Sequence, residues 1–144
     1  MVGFRVLSSV TDAECKKLPV SSQTLDPGDL MEQAAGTATW SACTASSPSW
    51  TRKAIAMESV TSSATECLAY VLTGNELVEA QTANTVSAAN NGDRMILTDK
   101  NTVSDTDSDD TSDEACFIQV KPGSTTTSAI GYVIVGTGVD WAAT

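Results

Sequence analysis

The densest run of chemistry-bearing side chains is DTDSDDTSDE, Asp105 to Glu114. Asp105, Asp107 and Asp109 place carboxylates at alternate positions, the D-x-D-x-D opening of a loop that converges on a hard cation such as calcium. The continuation departs from that pattern. The sixth position is Asp110, where the sharp turn needs glycine, and the twelfth is Cys116, where a bidentate glutamate belongs. The plainer reading is a solvated, self-repelling acidic loop between two strands, with a weak calcium site outside the EF-hand pattern as the alternative. No metal site is assigned.

Other reactive groups are sparse. The chain has no histidine, the side chain that most often moves protons near neutral pH. A serine or cysteine nucleophile would then need a lysine, an amine terminus or a carboxylate as its base, and no cysteine sits in a recognisable nucleophile context. Glycine patterns of phosphate-binding loops and of the nucleophile elbow are missing. The reading is a protein without a catalytic site or cofactor. Cys15, Cys43, Cys67 and Cys116 contain no C-x-x-C pair, as a zinc or redox site would need. They read as buried reduced thiols, with disulfides as the alternative in an oxidising setting. Of Trp40, Trp50 and Trp141, the second lies in the loop ASSPSWTRK and the third in the last residues, which makes those two the candidate anchors at a protein interface.

The elements that would position these residues are short strands. Serine and threonine make up about a quarter of the chain and aromatics 5%, which favours turns and strands over broad helical faces. Residues 1–27 read as an N-terminal arm: Phe4 to Ser8 as a short strand, then Thr11 and Glu14 as a capping box before a short helix ended by Pro19. Residues 28–135 form the domain and 136–144 a C-terminal tail. GDLMEQA, TATWSAC and RKAIAMES read as a three-stranded meander, with Ile55 and Met57 on one side and Ala54 and Ala56 on the other. TECLAYVL fits a strand better than a helix, having only about two turns' worth of residues between Ser/Thr clusters. ELVEA, TVSAA and RMILT then echo the first meander, so a duplication would fold the second set like the first. EACFIQVK should place Cys116, Ile118 and Val120 on one side, and AIGYVIVG, apolar on both faces, reads as a central strand.

Charge narrows the partners. Eighteen acidic against eight basic side chains give −10, a surface that repels phosphate and so argues against nucleic acid and anionic membranes. The opening MVGFRVLSSV lacks the pattern of a secretory signal and no apolar run approaches a membrane span, so synthesis in the cytoplasm is expected.

GDLMEQAAGTATWSACTASSP, AIAMESVTSSATECLAYVLTG and NGDRMILTD together resemble the small β-rich head decoration, or cement, proteins of tailed bacteriophages, over roughly residues 28 to 100. The resemblance implies a β-barrel or β-sandwich on the outside of an icosahedral virion, bound to the major capsid protein, often as a homotrimer, with terminal arms reaching neighbouring capsomers. Such proteins have no catalytic residues to carry over. The expectation is therefore an all-β domain of about eight to ten short strands, an antiparallel barrel or sandwich, made in the host cytoplasm and stabilising contacts between capsomers. A carbohydrate-binding or adhesive module and a self-assembling filament or surface-layer subunit are the alternatives.

Overall fold

The computed structural model describes residues 3–7, 15–105 and 114–138. In chain order the strands are β1 (Phe4–Val6), β2 (Cys15–Pro19), β3 (Leu30–Gln33), β4 (Ser41–Ala42), β5 (Arg52–Ala56) and β6 (Glu66–Val71). They continue with β7 (Val78–Gln81), β8 (Arg94–Asp99), β9 (Thr102–Ser104), β10 (Ala115–Pro122) and β11 (Ser128–Val133). The protein is all-β, with two antiparallel sheets: six strands in the order β1-β7-β11-β10-β8-β9, and five in the order β2-β6-β5-β3-β4. Neither sheet closes into a barrel, although an isolated bridge joins Val20, after β2, to Trp40, before β4, and another joins Thr82, after β7, to Val103 of β9.

Period-two alternation builds the interior. On β3 and β5, Leu30 and Ile55 point one way and Met31, Ala54 and Ala56 the other. Leu30 and Ile55 join Phe4, Val78, Met95, Phe117 and Val133 in a core cluster that draws on both sheets. Met31, Ala54 and Ala56 join Cys67 and Ala69 on the opposite side, where Val20, Leu25 and Trp40 cover them. The five-stranded sheet is thus buried on both faces. Each fully buried Leu or Ile side chain adds about 1.5–3 kcal/mol.

Several expectations change here. The helix expected to end at Pro19 is replaced, over Cys15–Pro19, by edge strand β2 paired with β6; residues 8–14 lie outside the described residues. An edge position tolerates the proline because one side of the strand has no ladder to complete. The N-terminal segment read as an arm therefore supplies an edge strand to each sheet. The meander is also rearranged: β5 pairs with β3, not with the two-residue β4, because the loop after Cys43 carries the chain back across β3. TVSAA forms no strand. Ser87 accepts from the Ala89 amide and, with Asn90, caps a single 3-10 turn, Ala88–Asn90. With β7 and β8 separated by β11 and β10, the echo in the sequence is not a repeat in the fold. Finally, a register shift between Ala115 and Phe117 lets Cys116 and Phe117 both reach the core while Ile118 points away. β11 does take a central place, between β7 and β10.

Candidate functional site

The outer face of the six-stranded sheet is the surface least explained by folding. On β11, Ala129 and Val133 enter the core, so Ile130 and Tyr132 point outward; on β7, Val78 and Ala80 enter, so Leu77 and Glu79 point outward. Gly131 lies opposite Val78, and Val78 opposite Val6, so one step further Tyr132, Leu77 and Leu7 stand side by side. The Leu7 amide donates to the Leu77 carbonyl at 3.0 Å, which holds that row together. Ile118 pairs with Tyr132 and then with Arg94, completing the row Leu7–Leu77–Tyr132–Ile118–Arg94. The next row is Arg5–Glu79–Ile130–Lys121. Leu7, Leu77, Val120 and Tyr132 are 37–43% exposed, and among the described residues the remaining exposed large hydrophobic is Met57. Ile96, Ile118 and Ile130 are half-buried and belong to neither core cluster. An ordinary solvent face would alternate to polar residues at these positions.

At the β1 end this row opens into a groove of about 600 Å³ lined by Leu7, Tyr70, Thr73, Asn75, Glu76 and Leu77. The Glu76 carboxylate there is already engaged: the Thr73 and Gly74 amides donate to it at 2.9–3.1 Å and the Tyr70 hydroxyl at 3.1 Å. Burial opposes its ionisation, yet these donors hold its pKa below the ordinary carboxylate value.

Two buried polar clusters flank the apolar surfaces. Glu79 lies on the outer face but is only 1% exposed, because Arg5 and the turn before β11 close over it. One carboxylate oxygen takes the Arg5 guanidinium at 2.5 Å; the other takes the Ser124 amide at 2.6 Å, the Ser124 hydroxyl at 2.7 Å and the Ser128 hydroxyl at 2.9 Å. Burial works against the charge, but these donors win and bring the pKa down to about 2. Lys53, fully buried between the sheets, donates to the Pro48 and Thr51 carbonyls at 2.9 and 3.2 Å and to the Thr51 hydroxyl, which lies 3.0 Å from Glu32. Burial lowers the Lys53 pKa, with Cys43 and Glu32 pulling in the opposite direction. The ammonium ties down the loop before β5; it faces no open cleft.

The residues singled out by sequence are scattered. Asp105 follows β9, its amide donating to the Asn84 side chain at 3.0 Å and its carboxylate accepting from Asn90, whereas residues 106–113 of the proposed calcium loop lie outside the described residues. Among the described residues no group of three or more His, Cys, Asp or Glu is placed to hold a metal. Cys43, Cys67 and Cys116 are buried thiols, and Cys15 is half-buried on the edge strand. Burial pushes Cys116 up to about 12 and raises Cys43 and Cys67, so these are poor nucleophiles. Trp40 packs in the second core cluster, and Trp50 is half-buried with its carbonyl accepting from the Gly138 amide; Trp141 lies outside the described residues. The face formed by Leu7, Leu77, Ile118, Ile130 and Tyr132 was not singled out, because an apolar strand reads the same whether or not a second layer covers it. No family model matches the chain, and neither does any curated protein.

Proposed function

We propose that this chain is a structural decoration protein: a β-sandwich that attaches to the outside of a tailed-bacteriophage head by binding the major capsid protein, and does so as a trimer. The observation that carries this reading is the contrast between the two sheets. The five-stranded sheet has its outer side covered by Leu25, Trp40 and Val20, while the six-stranded sheet offers Leu7, Leu77, Ile118, Ile130 and Tyr132 to the outside. Contiguous exposed apolar surface on a stable domain marks contact with another macromolecule. Attachment across capsomer boundaries stabilises a shell because expansion must then break the added contacts as well. The buried, hydrogen-bonded state of Lys53 and Glu79 and the raised thiol pKa values favour a binding role over catalysis.

Sedimentation of the purified protein with heads of the phage that carries its gene tests the reading. Saturable co-sedimentation at a fixed ratio to capsomers is expected; protein that stays at the top of the gradient contradicts it. Tyr132 on an open sheet face also suits the stacking of a sugar ring, which is the specific support for a carbohydrate-binding module. Its neighbours are aliphatic, however, and offer a sugar few hydroxyl partners, so glycan-array binding is expected to be negative.

A further inference from the structure

We propose that Asn91–Gly92 is a latent deamidation site, held unreactive while the Ala88–Asn90 turn is docked on β10 and opened when that turn detaches. Its chemistry is independent of what the protein binds. The chain has five asparagines, and Asn91 alone precedes a glycine; Asn75, Asn84, Asn90 and Asn101 precede Glu76, Thr85, Asn91 and Thr102. In the reaction the deprotonated Gly92 nitrogen attacks the Asn91 Cγ. The new C–N bond closes a five-membered imide, the Cγ–Nδ2 bond breaks, and the side-chain nitrogen leaves as ammonia. Water then opens the ring to aspartate or isoaspartate. A following glycine has no Cβ to shield the attacking nitrogen, and Asn91 and Gly92 are both exposed to the water that the second step needs.

The fold withholds the first step. Asn91 has φ −62° and ψ 130°. Ring closure needs the Gly92 nitrogen to eclipse Cβ about the Cα–C bond, which at this φ lies outside the allowed regions, so the peptide must first turn. Gln119 of β10 opposes that turn from both sides. Its carbonyl accepts from the Gly92 amide at 2.8 Å, and its Nε2 donates to Asn91 Oδ1 at 2.9 Å and to the Ser87 carbonyl at 2.8 Å. Gln119 is fully buried, and its Oε1 has no hydrogen-bond partner among the described residues. Reversing the amide would set that oxygen against two acceptors, so the donor stays on the turn. The Gln119 amide also donates to the Asp93 carbonyl at 3.1 Å, fixing the chain just after Gly92. Reaction therefore waits on local opening of this turn. Isoaspartate at position 91 adds a carbon to the main chain, so the Gly92 and Asp93 bonds to Gln119 cannot both re-form, and an opening that reacts leaves the turn undocked.

Peptide mapping by mass spectrometry of the full chain, held at mildly alkaline pH with and without denaturing urea, measures conversion of each asparagine. Conversion at Asn91 should be at least tenfold slower in the folded wild type than in urea, where Asn91 should be the fastest of the five. Gln119→Leu, which removes both Nε2 bonds, should raise the folded rate at least threefold. Thermal melts qualify the variant as folded; if it is not, Ser87→Ala takes its place, since it removes the hydroxyl that accepts from the Ala89 amide and loosens the same turn. Equal rates with and without urea overturn the proposal, as does a folded variant that converts as slowly as the wild type. Faster conversion of another asparagine in urea overturns the assignment to Asn91.

Discussion

Glu79 shows how one residue's chemistry ties the described fold together. Its carboxylate collects a guanidinium from β1, an amide and hydroxyl from the turn after β10, and a hydroxyl from the first residue of β11. Because its pKa falls from an ordinary 4.5 to about 2 in the folded state, folding is linked to its ionisation. That contribution is complete above about pH 5, amounts to about 3 kcal/mol, and is lost as the pH falls through the folded value. Glu79→Gln should destabilise the protein by about 2–4 kcal/mol at pH 7, since an amide sets its own donors against Ser124 or Arg5. It should also flatten the loss of stability between pH 5 and 2, which urea titrations across that range would measure. An unaltered pH dependence in the variant would remove Glu79 from this role. Nothing in ELVEAQ announces this: alternation correctly places Glu79 outward, but only the returning turn, 45 residues later in the chain, closes over it.

Among the elements, those with strict alternation were legible and those shaped by an irregularity were not. β3, β5 and β8 follow from alternating apolar positions, and β6 and β11 from short apolar runs bounded by turn residues. At β2, Thr11 and Glu14 match a helix cap locally, whereas pairing of Cys15–Pro19 with β6 is a long-range contact that no local pattern carries. β10 was read as a plain alternation, but its bulges turn Phe117 inward beside Cys116 and shift the register again after Gln119. Gly131 accommodates this second irregularity: a Cβ there would sit on the Ile118 carbonyl. Gly131→Ala should therefore cost about 2–4 kcal/mol, since backbone must move. Gly36, by contrast, has open space around it and a φ of 83°, so Gly36→Ala should cost only about 1–2 kcal/mol for the left-handed conformation. Denaturant midpoints of the two variants check the ranking, and the reverse order would contradict the close approach at Gly131.

At the scale of the molecule, the two sheets are unequal partners. Among the described residues, one is covered on both faces by the chain's own side chains, and the other is covered on one face and carries an exposed apolar row on its second. The strands at the margins of the five-stranded sheet favour attachment through that second face over strand exchange into filaments. β2 carries Lys16, Lys17 and a terminal proline, and β4 has two residues, all features that discourage a further strand from adding. Composition made the all-β class legible, but the open face was hidden because apolar residues at Leu77, Ile118 and Tyr132 look the same in sequence as core. The most direct measurement is a reconstruction of phage heads saturated with this protein. Density for the six-stranded sheet is expected against the shell, with Leu77 and Tyr132 at the contact. Density placing the five-stranded sheet there, or heads that remain bare at saturating protein, would contradict it.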